Sequence, residues 1–171
     1  MTILFERTTN LDLVHEILTD PRCWARMVND DAGDRVGFQA QLRPGLVYVV
    51  ARDDHGQVLA LFVLAQSYPS EAEVHFCFRP AVWGSTEDVA RAFVDWIWRE
   101  TPIDRLIGPV PGYNQLALQL ARKVGFEPLE VVKAHVPRRG RRYDLNILGL
   151  NRPTGFSHAQ ISHPRNVPHR S

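Results

Sequence analysis

Cysteine is scarce in this chain. Two of its 171 residues are Cys, Cys23 and Cys77, and neither belongs to a CxxC pair or to a Cys/His set with metal-ligand spacing. Nothing therefore points to a disulfide scaffold or a structural metal, and no metal cofactor is expected. The two cysteines stand in unrelated sequence contexts. Cys77 lies in an apolar run and reads as a buried free thiol. Charge of one sign is also lacking. Lys and Arg total 20 against 19 Asp and Glu, for a formal net charge of +1, which gives no general affinity for polyanions. No apolar run approaches the length of a membrane span, and the first residues, MTILFERTTN, lack the apolar segment of a signal peptide. These absences lead to the expectation of a cytoplasmic protein with no membrane partner. There is no internal repeat and no linker separating two domains.

At 44% hydrophobic, 171 residues suffice for one domain with a full core. The pattern along the chain predicts an α/β order. Residues 2–8 read as a strand. Asn10 caps a helix over LDLVHEILTD, and Pro21 opens a second helix over 21–30. Residues 31–45 are rich in Gly, Asp and Arg and read as a loop with room for a short strand. Strands follow at 46–53, 57–66 and 72–78, the first two joined by a hairpin at His55-Gly56. Ser85 or Thr86 caps a helix with Glu87 and Asp88 in its first turn and Val89, Ala92, Phe93, Trp96 and Ile97 at helical spacing. Pro102 stops it. A strand at 105–110, a helix from Asn114 and two strands at roughly 127–136 and 142–150 complete the order β-α-α-β-β-β-α-β-α-β-β. Hairpins followed by one helical crossover predict a mixed sheet of six to seven strands flanked by about four helices.

Residues 114–126, NQLALQLARKVGF, are the most informative stretch. Asn114 suits an N-cap. Ala117, Leu120, Ala121 and Val124 share a helical face, Arg122 and Lys123 suit the C-terminal end of the dipole, and Gly125 supplies a left-handed cap. This segment resembles the last helix of the GNAT superfamily, the Gcn5-related N-acyltransferases that use acyl-CoA. Asn114, Lys123, Gly125 and Phe126 match that family in identity and spacing. The element order matches the GNAT fold over residues 2–150, which implies a GNAT-like domain at 1–151 and a separate basic tail at 152–171.

The resemblance implies where chemistry would sit. Acetyl-CoA would be the cosubstrate. Its pyrophosphate would meet the turn RPAVWGST at 79–86, with Arg79, Trp83, Gly84, Ser85 and Thr86 as binding candidates and Arg79 or Arg91 as the source of positive charge. Gly84 aligns with the family's first glycine, and Thr86 stands where a second small residue is expected. Trp83 stands before Gly84 as it does in the branch similar to ribosomal-protein N-terminal acetyltransferases. Backbone N–H groups near Phe78 would polarise the thioester. Asn114 joins the cofactor candidates. In the strand AEVHFCF, alternation puts Glu73, His75 and Cys77 on one face and Val74, Phe76 and Phe78 on the other. The match to the histone-acetyltransferase branch implies Glu73 as general base, with His75 second. The family's general acid, a Tyr seven residues after the helix-opening Asn, is replaced by Ala121, while Tyr113 is close by in sequence. Pro109 and Pro111 in GPVPGYN cannot donate ladder hydrogen bonds, so pairing is expected to fail there and open a slot for pantetheine.

RRGRR at 138–142 reads as a solvated turn, and without flanking aromatics it gives no case for single-stranded nucleic acid. Residues 152–171 carry Arg152, Arg165 and Arg170, three histidines and three prolines, with Phe156 and Ile161 the main large apolar residues. That is too little for a core, so the tail is expected to leave the domain and pack against a partner chain. Two functions follow from the resemblance. One is an acetyl-CoA-dependent N-acetyltransferase acting on an amine of a small molecule or protein. The other is a catalytically degenerate GNAT-fold binding or structural protein. The stretch 131–151 is similar to GNAT-like proteins of tailed phages, which would make it a virion component held by its tail.

Overall fold

The computed structural model describes residues 2–155. The expected packing of the tail beyond Gly155 lies outside the described residues. Seven strands form one sheet: β1 (Leu4–Thr8), β2 (Leu46–Arg52), β3 (Val58–Tyr68), β4 (Glu71–Phe78), β5 (Arg105–Pro111), β6 (Glu127–Arg138) and β7 (Arg141–Asn151). Their order is β1-β2-β3-β4-β5-β7-β6, antiparallel except where β4 meets β5. Helices α1 (Leu11–Leu18) and α2 (Pro21–Met27) connect β1 toward β2, α3 (Thr86–Glu100) crosses from β4 to β5, and α4 (Gln115–Val124) connects β5 to β6. This is the mixed α/β order predicted.

The caps explain the helix boundaries. Asn10 Oδ1 accepts from the Leu13 amide at 3.0 Å, and Asn114 Oδ1 accepts from that of Ala117 at 3.2 Å. Gly125, at φ 107°, closes α4 with a left-handed cap. The second helix is shorter than its expected 21–30. Val28 is extended, and Asn29 instead caps a single 3₁₀ turn at Asp30–Ala32. The reason is tertiary, because the Tyr113 hydroxyl donates to the Val28 carbonyl at 3.1 Å. Residues 33–45 contain no strand. The final hairpin turns at Arg139-Gly140, both at positive φ, as a two-residue turn between right-twisted strands requires.

Two apolar layers sandwich the sheet. On one face Val49, Phe62 and Val74 of the sheet pack with Phe93, Ile97 and Trp98 of α3 and Leu118 of α4. Phe62 and Phe93 stack face to face, with centroids 3.8 Å apart and planes at 3°. On the other face Val50, Leu61 and Cys77 of the sheet pack with Val14 and Ile17 of α1 and Cys23 of α2. Burial turns α4 slightly from its expected face. Leu118 joins Val124 in the core, while Ala117, Leu120 and Ala121 are half-buried.

Arg152, expected as the first residue of the tail, is bound into the domain. Its backbone N–H donates to the Asp104 carbonyl, and its guanidinium donates to the carbonyls of Thr101 and Ile103 at 2.7 and 2.6 Å. It also lies over the Trp98 ring. These contacts satisfy carbonyls just past the end of α3, where a cation suits the helix dipole.

Candidate active site

β4 and β5 begin as neighbours and then part. Their parallel ladder joins Glu71–Glu73 to Arg105–Ile107 and stops there. Pro109 and Pro111 account for the stop, though on one side only. β5 keeps its full ladder with β7, including the pairs Pro109↔Ile147 and Pro111↔Leu145. The Gly112 N–H donates to the Asp144 carbonyl of β7, so even-numbered positions of β5 point toward β7 and odd-numbered ones toward β4. Both prolines therefore place their missing N–H on the β4 side. The expected failure of pairing is confined to that edge.

The same alternation fixes what β4 offers. The Arg79 amide donates to the Leu59 carbonyl of β3, so odd-numbered N–H groups face β3. Those of Phe76 and Phe78 face the gap left by β5. The result is a cleft of about 700 Å³, lined from both sheet faces. His75 to Phe78 form one wall and Gly108 to Pro111 the other. α2 contributes Arg22, Cys23, Arg26 and Met27. α4 contributes Leu116, Ala117, Leu120 and Ala121. Tyr113, His135 and Val136 close one end, and Trp83 and Thr86 the other.

Among the sequence candidates, His75, Phe78, Trp83, Thr86 and Asn114 line this cleft. Glu73 does not. Its carboxylate stands behind His75, with Oε1 at 2.7 Å from Nε2. That hydrogen bond holds the Glu73 carboxyl below the usual carboxylate range, against partial burial, which raises it. Gly84 and Ser85 also fall outside the lining, and a Cβ built on Gly84 would meet nothing within 4 Å. Arg79 points away, toward Glu16 of α1 at 3.1 Å. Arg91 is committed to Glu87 and to the Lys123 carbonyl. The expected phosphate cations are thus displaced. The cleft's cations are Arg22, Arg26 and Lys123, which the sequence reading did not single out for this role.

Each of these is held by a partner. Arg22 forks onto Asp20, and this pairing lowers the Asp20 carboxyl strongly. Arg26 lies over the Trp83 ring at 5.2 Å, and its carbonyl accepts from the side-chain Nδ2 of Asn114 at 3.2 Å. Lys123 is 3.6 Å from Glu87. The N-terminus of α3 has no side-chain cap, since Ser85 occupies the N-cap position without a capping hydrogen bond. Its first-turn amides take no side-chain cap, and an anion suits that end of a helix.

Tyr113 is pinned. Its hydroxyl donates to Val28, its ring meets Tyr143 edge-on, and the Arg138 guanidinium lies 3.9 Å from its centroid. Burial raises its pKa, so the phenol keeps its proton. His135 was missed by sequence reasoning for a clear reason. β6 shifts register between Val132 and Val136, and Ala134 takes φ 48°, held by the Asp144 carboxylate. The bulge breaks the alternation on which a strand reading depends.

The Glu73–His75 pair makes a measurable prediction. A carboxyl whose pKa is lowered on folding stabilises the fold above its unfolded pKa. It loses that contribution as pH falls through the folded value. Wild type should therefore exceed Glu73→Gln in melting temperature at about pH 7, with the gap narrowing as pH falls below about 4.3, the unfolded value. A gap that stays constant would show that the pair contributes nothing through charge.

Residues 3–127, well over half of the chain, match the family model described as the acetyltransferase (GNAT) domain, and the chain belongs to that family. Solved structures share the fold. A protein provisionally named a phosphinothricin N-acetyltransferase is 22% identical, with a TM-score of 0.68 over 89% of this chain and 99% of that one. The spermidine N-acetyltransferase of Vibrio cholerae, crystallised with CoA and spermine, is 12% identical, with a TM-score of 0.72 over 88% and 95%. A chimera of that enzyme with hSSAT is 14% identical, with a TM-score of 0.72 over 88% and 96%. At these identities the likeness is one of fold. No curated protein matches the chain in sequence. Among the described residues, no helix is long and apolar enough to cross a membrane, and no group of three or more His, Cys, Asp or Glu could hold a metal ion.

Proposed function

We propose that this protein is an acetyl-CoA-dependent N-acetyltransferase acting on an amine of a small molecule or protein. The observation that carries the reading is the cleft itself, where β4 presents the Phe76 and Phe78 N–H groups beside His75. Pantetheine lies between β4 and β5, and the thioester oxygen accepts from those amides as negative charge develops on it. The pyrophosphate meets the uncapped α3 terminus, with Thr86, Trp83 and the cations Arg22, Arg26 and Lys123 around it. Asn114 acts here as a helix cap that also binds α2.

His75 is the proposed base, and Glu73 its positioning partner. With Nε2–H donated to Glu73, the lone pair of Nδ1 is free to take the amine proton. The amine nitrogen then attacks the thioester carbon, the carbon–sulfur bond breaks, and the amide is released. The departing thiolate takes a proton from water, since Ala121 has none to give and the Tyr113 hydroxyl is donated to Val28.

The acceptor is not a polyamine in this reading. Among the described residues, Glu87 is the one carboxylate lining the cleft, and it is already paired with Arg91 and Lys123. Rates with spermidine should fall well below those with uncharged or anionic amines such as amino acids. Equal rates would count against this choice.

Calorimetric titration with acetyl-CoA tests the cofactor site. The parent should bind, and Thr86→Asp should bind at least about tenfold more weakly, since a carboxylate there repels phosphate at a few ångströms. The same carboxylate suits a helix N-terminus, so the fold is retained. No binding by the parent would sink the reading. Unchanged binding by the variant would move the phosphates elsewhere. The assembly reading receives no support from these relatives, which are acetyltransferases.

A further inference from the structure

The two cysteines lie 54 positions apart by their residue numbers, 23 and 77, yet the fold brings them to one place. Cys23 is in the first turn of α2 and Cys77 near the end of β4. Both are buried in the layer beneath α1 and α2, and both line the cleft. The Cys23 thiol donates to the carbonyl of Phe78, the residue next to Cys77, at 3.6 Å. The Cys77 thiol donates to the Ile17 carbonyl, in the last turn of α1, at 3.8 Å. The Cys23 thiol thus reaches the backbone beside Cys77.

We propose that Cys23 and Cys77 are a redox-active dithiol that closes to a reversible intramolecular disulfide joining α2 to β4 across the cleft wall. Roles follow from their surroundings. Contact between the thiols favours the thiolate on Cys23, the first cause of its lowered pKa, while the same contact and deeper burial push Cys77 up. Cys23, the less deeply buried of the two at 8% exposure against 3%, is the residue that meets oxidant, and Cys77 the one that resolves it. With a peroxide, the Cys23 thiolate attacks one oxygen and the O–O bond breaks. This gives a sulfenic acid and hydroxide, which takes up the proton that Cys23 lost. The Cys77 sulfur then attacks the Cys23 sulfur, the S–O bond breaks, and water leaves with the Cys77 proton. In sum, two thiols and one hydrogen peroxide give one disulfide and two waters. A peroxide-sized oxidant can enter through the cleft. The inference does not depend on the acetyltransferase reading, because its readouts concern thiols alone.

The test treats the full chain with hydrogen peroxide and quenches with an alkylating agent. The expected product is a monomer lighter by two hydrogens, with no thiol titratable in denaturant and both thiols recovered by dithiothreitol. Cys23→Ser should keep its one thiol, Cys77→Ser should stop at the Cys23 sulfenic acid, one oxygen heavier, and neither should lose hydrogens. The folded protein should form the bond at least about tenfold faster than the chain in denaturant, because the fold holds the sulfurs together. Two free thiols after treatment, oxygen added separately at each cysteine, or a disulfide-linked dimer would each overturn the proposal. So would a rate no faster in the folded protein.

Discussion

His75→Ala is expected to lower kcat for acetyl transfer by about 10²–10⁴-fold, the usual span for losing a positioned general base. Acetyl-CoA affinity should stay within about threefold, because the imidazole acts on the amine and not on the cosubstrate. Two features make the effect large. His75 is the one imidazole on the cleft wall formed by β4, and its Nε2 is fixed by Glu73 at 2.7 Å. Glu73→Gln should cost less, since glutamine can still accept from Nε2 through its carbonyl oxygen. Steady-state rates and acetyl-CoA titration on the same preparations separate these terms. If His75→Ala turns over at the parental rate, His75 is not the base. If Glu73→Gln falls as far as His75→Ala, the carboxylate does more than position the ring.

Phe93→Ala is expected to destabilise the domain by about 3–5 kcal/mol, the range for removing a buried aromatic side chain. Phe93 is fully buried on α3 and stacks on Phe62. It also meets Phe5, Phe76 and Trp96 at centroid distances of 5.9, 6.0 and 6.1 Å. Deleting the ring leaves a void bounded by four other rings from three strands and its own helix. Those rings are tied to separate elements and cannot all collapse into it. Since domains of this kind are stable by about 5–15 kcal/mol, the loss is a large share of the total. Urea denaturation should show a much lower midpoint at an unchanged slope. A shift of under about 1 kcal/mol would mean that the surrounding rings repack, contrary to this account.

The Phe93 position was legible in the sequence, and the His75 geometry only partly so. Val89, Ala92, Phe93, Trp96 and Ile97 fall at helical spacing, and α3 indeed buries Val89, Phe93 and Ile97. Strand alternation likewise put Glu73 and His75 on one face. It could not say that the cleft would stop short of Glu73, because the depth of the parting between β4 and β5 depends on a partner strand. The resemblance ranked Glu73 first as base. The fold puts His75 at the wall and Glu73 behind it.

The cations show the same division. Arg79 and Arg91 were attractive because they flank the phosphate turn in sequence. In the fold Glu16 draws Arg79 to the other side, and Glu87 with the α4 terminus engages Arg91. Arg22 and Arg26 come from a helix more than fifty residues upstream of the turn that they face. No local pattern marks them.

What the sequence determined by itself was set by short-range physics. Periodicities of two and of about 3.6 residues, Asn caps, the Gly125 cap and helix-stopping prolines gave the element order and the GNAT likeness. Pro109 and Pro111 announced a break in pairing. Tertiary structure alone decided which edge of β5 broke, since a missing N–H matters only on the side where a neighbour would need it. It also ended α2 early at Val28, set His135 beside the cleft through a bulge, and set Cys23 beside Cys77. Each of these depends on contacts between residues far apart in the chain, whose geometry is fixed only once the sheet has formed.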